Sequence, residues 1–499
     1  MIKKLLDEIK NHKIVYLLLC ITLATGFYLR VYRIDIVLGF YFDQGRDALV
    51  IWDLWHKGEL FLVGPTTGIA GIFRGPYYYF LIAPFYLLSG GNPVLPSVFL
   101  SLTTMVAVVF VYYLGTKALD RTTGLFAAII ASISFNLVIA SRWLSNPTPM
   151  FLLSMVLVWG MLKVTEGKKW AWPVIAAASG LSLFNFGSAG EVYYFAALGI
   201  FFVWQWKNRP DKKNFILSII LFVLTFAPLV LFDLKHDGIL RNNISKFLFT
   251  DKSFAFPTWR FVWDKLDFYY EVFTNKIFNG RYFVEKIIFY AVAASFFFYL
   301  GKLFKNKVIK ILLLLFVSVC AGLVFFQGNF GNIYDYYLTG YYLIFVLLFS
   351  LPLSMLFRTW PGKLFVLYFF YLFLTNNADV LKYKLSDNCD GPNSICLVNQ
   401  LKAVDWVYKD AKDRPFNVDV YVPPVIPYAY DYLFLWRGSS VYGKLPSGDL
   451  IDPLYTFYEV DPPNPDRLEA WLARQKGIGV VEETASFGGI TVERRARIK

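Results

Sequence analysis

Eleven stretches of about 15 to 23 mostly apolar residues recur along the chain, each a candidate to cross a bilayer as a helix. They fall near residues 14–31, 94–115, 123–140, 149–165, 171–187, 190–206, 214–232, 282–300, 308–326, 335–357 and 363–377. Hydrocarbon offers no partner to an open backbone N–H or C=O, so such segments are confined to helices that satisfy their own backbone. The pattern predicts an all-α polytopic membrane protein with about 11 transmembrane helices.

The formal net charge of +13 would suit a nucleic-acid binder if the basic residues were clustered. Instead they sit in alternate short connections: Lys117 and Arg121; Lys163, Lys168 and Lys169; Lys207, Arg209, Lys212 and Lys213; Lys302, Lys305, Lys307 and Lys310; Arg358 and Lys363. Together with Lys3, Lys4, Lys10 and Lys13 they mark one side as cytoplasmic and give no nucleic-acid surface. The first apolar run is expected to stay as an anchor, because no small-residue cleavage site follows it.

Eleven spans from a cytoplasmic N-terminus place the first loop, 32–93, the loop 233–281 and everything past about Asp379 on the outer side of the cell membrane. The apolar run from Pro76 to Leu88 is too short to cross and carries Pro84, so it is expected to lie along the outer surface. Loop 233–281 is rich in Lys and Arg, including Arg241 and Arg281, which points to an anionic partner. Residues 1–378 thus form the membrane domain. Residues 379–499 read as a small outer α/β domain, with helices over 395–411 and 465–475 and strands over 416–422, 477–481 and 489–494. No catalytic motif stands out in it, and it is expected to cover or position an acceptor. A Cys389–Cys396 disulfide there would require an oxidising compartment.

Charge is nearly absent from the apolar interiors and gathers at their outer ends: Asp35, Asp43, Asp47 and Arg74; Arg142; Glu191; Asp233, His236, Asp237 and Arg241; Glu285; Asp335. A transporter or flippase, the main alternative along with an inactive scaffold, should carry polar or unwound positions near the bilayer midplane. The observed placement suits a substrate lying half in lipid and half in water. Arginines match phosphate. A carboxylate at the same level can take a proton from an attacking hydroxyl or amine. Asp43 is the expected catalytic base, unless it merely caps a surface helix from Gly45 to about Lys57. With three histidines and no ligand spacing, no metal site is expected.

Five motifs carry a resemblance: Tyr41-Phe-Asp-Gln-Gly-Arg-Asp-Ala48, Arg74-Gly-Pro-Tyr-Tyr-Tyr-Phe80, Ser141-Arg-Trp-Leu-Ser-Asn-Pro147, Phe232-Asp-Leu-Lys-His-Asp237 and Tyr334-Asp-Tyr-Tyr337. In this order, over roughly residues 1–375, the chain resembles the GT-C superfamily of polytopic glycosyltransferases, in the bacterial branch related to protein O-mannosyltransferases and the lipid A aminoarabinose transferase. The resemblance implies short helices parallel to the membrane in the first loop. It also implies a polyprenyl-phosphate-linked sugar as donor substrate and no other cofactor, inversion by direct displacement, and a protein, lipid or glycan acceptor on the outer side. Asp43 then corresponds to the family's base. Many members have an acidic pair here, whereas this chain has Gln44, which weakens any paired-carboxylate or metal role and leaves Asp47 as a helper. Asp47, Arg74, Arg142, Glu191, His236, Asp237, Arg241 and Tyr336 are the expected substrate-binding residues.

Overall fold

A computed structural model describes residues 2–69, 71–251, 253–278, 283–327, 333–423 and 426–498; Arg281 lies outside them. The chain opens with α1 (Ile2–Asn11) and α2 (Lys13–Val31). One turn, α3 (Ile34–Val37), leads to α4 (Phe42–Lys57) and, beyond a Thr66–Phe73 bridge, to α5 (Tyr77–Leu88), the short helix that contains Pro84. Then follow α6 (Val94–Ala118), α7 (Arg121–Ile133), α8 (Phe135–Arg142), α9 (Met150–Thr165), α10 (Ala171–Leu181), α11 (Tyr194–Trp204) and α12 (Lys212–Lys235). The second loop holds α13 (Ile239–Ser245) and α14 (Trp259–Thr274); α15 (Phe283–Leu303), α16 (Lys307–Leu323), α17 (Tyr342–Leu356) and α18 (Trp360–Ser386) complete the bundle.

Each of the apolar windows is mostly helical over its described residues, with breaks at Ser134 and from Val324 to Phe326. Six of the helices are long and apolar enough to cross a membrane, or seven if α7 and α8 form one bent span. That bend, of 59°, replaces the straight helix expected over 123–140. Ser134 leaves the helix at φ −51° and ψ 123°, which strands the carbonyls at the end of α7 and the first N–H of α8. Arg30, only 2% exposed on α2, donates to the carbonyls of Ser132 and Ala131 at 2.8 and 2.9 Å. The Asn377 side chain accepts from Phe135 N–H at 2.7 Å. A break that would be costly in lipid is thereby closed by two neighbouring helices.

After the bundle, α19 (Leu397–Ala411), α20 (Tyr428–Arg437) and α21 (Pro465–Lys476) pack on a four-stranded sheet ordered β1-β2-β4-β3. The strands are β1 (Asn417–Tyr421), β2 (Leu454–Glu459), β3 (Gly479–Phe487) and β4 (Ile490–Arg497), with β1 and β2 parallel and the other pairs antiparallel. Side chains alternate across β2. Tyr455 and Phe457 meet Phe416 and Tyr430 on one face, while Tyr458 meets Trp471 of α21 on the other. The segment is tied by a Cys389–Cys396 disulfide. Sequence patterning misses α20 and β2. Both are buried nearly all round, so neither shows the two-sided pattern that marks a surface element.

Candidate active site

The site is organised by the first turn of α4. Tyr41, not Asp43, is the N-cap: its N–H donates to Gln44 Oε1 at 3.1 Å, and Gln44 Nε2 donates to the Leu144 carbonyl at 3.0 Å. The helix therefore starts earlier than the sequence reading set it, and Asp43 has no capping duty. Gln44 is buried in a structural role, leaving Asp43 as the carboxylate that faces out, its side chain 59% exposed.

Arg46, one turn on, holds both acids. Its Nη1 lies 2.9 Å from Asp43 Oδ1 and its Nη2 2.7 Å from Asp47 Oδ1, with a further bond from Nη1 to Thr66 Oγ1 at 3.0 Å. The guanidinium lies between the two carboxylates. Tyr79 donates its hydroxyl to Asp47 Oδ1 at 3.0 Å. Burial pushes the Asp47 carboxyl up to about 6, opposed by Arg46 and Tyr79, so it is mostly ionised at neutral pH.

A second group comes from the Arg74 turn. Asn185, in a π-turn over Ser182–Phe186, accepts from Tyr77 N–H and donates to the Thr225 carbonyl, while Gly75 N–H donates to the Phe184 carbonyl at 2.7 Å. A Cβ on Gly75 would sit 2.1 Å from Asn185 Oδ1, so the turn needs glycine to lie this close. Arg74 touches Ser188 Oγ at only 3.5 Å, and its guanidinium interacts with Glu191, Tyr336 and Tyr337; burial holds it below the usual arginine range. Glu191 accepts the Ser188 N–H at 2.7 Å and the Gly340 N–H at 3.3 Å, tying this turn to the one over Asp335–Tyr341. Tyr336, exposed and stacked on Tyr334 at 5.7 Å, interacts with the charges of both Arg74 and Asp43.

Asp43, Asp47, Arg74, Glu191 and Tyr336 thus come together from segments spread over nearly three hundred positions. His236, Asp237 and Arg241 lie just beyond the end of α12. The His236 ring stacks on Phe232 at 4.1 Å, and Phe232 meets Phe73 at 5.4 Å. Asp237 turns the chain at φ 53°, and the Arg241 side chain is exposed.

Arg142 is a correction. It is buried, and its Nη1 and Nη2 donate to the Leu29 and Tyr32 carbonyls at 2.8 and 3.0 Å. It closes the C-terminal end of α2, which has orphan carbonyls, and does not present its fork to a substrate. Arg46, Tyr79 and Ser188 were absent from the expected set. Arg46 and Tyr79 lie inside motifs that the sequence displays, and the i, i+3 spacing of Asp43 and Arg46 was the available signal.

Residues 74–232 match the family model described as dolichyl-phosphate-mannose-protein mannosyltransferase. No curated protein matches the chain. Among solved structures, ArnT from Cupriavidus metallidurans bound to undecaprenyl phosphate is similar at a TM-score of 0.63 and 9% identity, covering 96% of this chain and 97% of that one. Its apo state gives the same TM-score and identity, with 97% and 98% covered. The likeness to GT-C glycosyltransferases carried by the motif order is thus met by a family match over 74–232 and by a shared fold over almost the whole chain.

Proposed function

We propose that this chain, which has the GT-C fold, transfers a sugar from a polyprenyl-phosphate carrier to an acceptor on the outer side of the membrane. The observation that carries the reading is the pairing at α4: one exposed carboxylate, Asp43, held by Arg46 and interacting with Tyr336, which also interacts with Arg74. The similar ArnT structure was solved with undecaprenyl phosphate, a carrier of this class. The disulfide at Cys389–Cys396 and the basic connections on the other side favour an outer location for the site.

In the reaction, the acceptor's hydroxyl or amine attacks the anomeric carbon while the bond from that carbon to the phosphate oxygen breaks. The proton passes to Asp43, and the polyprenyl phosphate leaves with its new charge facing Arg74. A single base with no covalent intermediate inverts the anomeric centre. Asp47 stays buried and anchors Arg46, so that Asp43 is oriented without being neutralised.

The test is Asp43→Asn in purified protein given a radiolabelled lipid-linked sugar. Turnover should fall by roughly 10²–10⁴ while the donor still binds. Undiminished turnover would remove Asp43 from the chemistry.

A further inference from the structure

Behind the catalytic end of α4, its C-terminal half, together with α5 and α20, encloses a separate cavity of about 170 Å³. Its walls are Trp52, Trp55 and His56 of α4, Tyr86 of α5, and Tyr432 and Ser440 beyond the bundle. The frame is fixed by hydrogen bonds: Trp55 Nε1 donates to the Ala83 carbonyl at 3.1 Å, Tyr432 donates to the Gly91 carbonyl, and Trp436 Nε1 donates to the Gly90 carbonyl at 2.7 Å. Among the described residues, no Asp, Glu, Lys or Arg lines it. Polar capacity nevertheless remains. The His56 Nδ1 meets the Trp52 carbonyl, which leaves Nε2 free among the described residues, and the Ser440 hydroxyl is likewise uncommitted. The buried Tyr86 hydroxyl beside the cavity also has no partner.

We infer that this cavity binds one neutral pyranose ring. Sites for drug-sized ligands run to roughly 300–1,000 Å³, so this volume limits the occupant to about a single ring. Aromatic walls with a few polar groups suit the apolar C–H faces and the hydroxyl edge of a sugar. The uncharged lining disfavours a phosphate, a sugar acid or an amine. Preformed walls reduce the ordering cost of a weak ligand. Trp52 lies nine residues along α4 from Asp43, about 13 Å at the helical rise, so the ring held here is not the one being attacked. It is a neighbouring ring of the acceptor glycan. That assignment rests on the transfer reaction proposed above, whereas pyranose binding itself does not.

The two are separated by measuring binding in the Asp43→Asn protein, in nanodiscs so that no sugar-headed detergent competes. Methyl pyranosides are titrated, read by tryptophan fluorescence and saturation-transfer NMR. Saturable binding is expected. It should weaken at least tenfold in Trp55→Ala and in Ser440→Phe, which fills the cavity from its rim, while Arg74→Ala leaves it unchanged. Absence of saturable binding, undiminished binding in both cavity variants, or occupancy by octanol in place of the pyranosides would overturn the inference. A wild-type protein that binds pyranosides and transfers nothing would sink the reaction alone. One that transfers sugar but ignores pyranosides would sink the cavity alone.

Discussion

Gly45 of α4 rests directly on the backbone of Ala429 in α20: a Cβ at residue 45 would lie 2.3 Å from the Ala429 nitrogen. Helix α4 is thus seated on the C-terminal part of the chain, and neighbouring contacts repeat the theme. Phe42 meets the Tyr428 ring at 5.0 Å, the Leu397 N–H donates to the Leu38 carbonyl, and Gln400 Nε2 donates to the Phe40 carbonyl. Gly45→Ala should push α4 off α20. Overpacking of this kind costs about 1–3 kcal/mol, and because the obstacle is backbone the upper part of that range applies. A lower melting temperature together with reduced turnover is expected; a variant that melts and turns over like wild type would show that the seat is not tight.

Arg46 serves two acids, and its loss should be felt through both. Arg46→Ala leaves Asp47 buried without its cation, a change that typically costs about 3–5 kcal/mol. Arg46→Lys keeps the charge but not the fork, so it should restore stability better than turnover. Thermal melting and single-turnover assays on the two variants, side by side, will separate anchoring from orientation.

Arg74 and Arg142 make a contrasting pair. Arg74→Ala should raise KM for the lipid donor by roughly 10- to 100-fold, the worth of a hydrogen bond to a charged group. Arg142→Ala should lower the melting temperature through the unpaired Leu29 and Tyr32 carbonyls and leave KM unchanged. Identical KM effects in both would contradict the placement of Arg142.

Glu459 of β2 gives a pH dependence. It is buried, accepts from Tyr430 at 2.9 Å and Gln400 at 3.5 Å, and has no cation beside it among the described residues; burial pushes its carboxyl up to about 7 from a usual value near 4.5. The folded protein therefore holds a proton between pH 4.5 and 7 that the unfolded chain releases. This contribution to stability is full below about 4.5 and is lost as pH rises to 7, by at most about 3 kcal/mol. Glu459→Gln should flatten the melting profile across that window, seen by comparing melts at pH 5 and pH 8. An unchanged slope would place the titration elsewhere.

The disulfide loop is a further handle on α4, because Tyr41 donates its hydroxyl to the Ile395 carbonyl at 3.0 Å. Cys396→Ser should destabilise the folded protein by roughly 2–3 kcal/mol and expose residues 387–396 to protease. Limited proteolysis with and without reductant reads this out.

Much of this architecture is visible in the residues alone, because lipid enforces helices wherever apolar runs are long enough. Asp43, Arg74 and Tyr336 could be singled out because each is a polar residue at the outer end of such a run. The function of Arg142 could not be read that way. An arginine at a helix end looks the same whether it faces a phosphate or another helix's carbonyls, and only the 59° bend and the proximity of α2 decide between them. The seat under Gly45 was hidden for a different reason. A glycine in a helix reports that something comes close, not what, and α20 itself carries no periodic stripe.

The Gly45–Ala429 contact also bears on how the protein is made. Residue 45 enters the membrane early in synthesis, while the backbone it must lean on is translated hundreds of residues later. Until α20 has been translated and has packed against α4, the first turn that carries Asp43 has no seat. If Asp43 is the base proposed above, a chain that stops short of α20 should show little turnover.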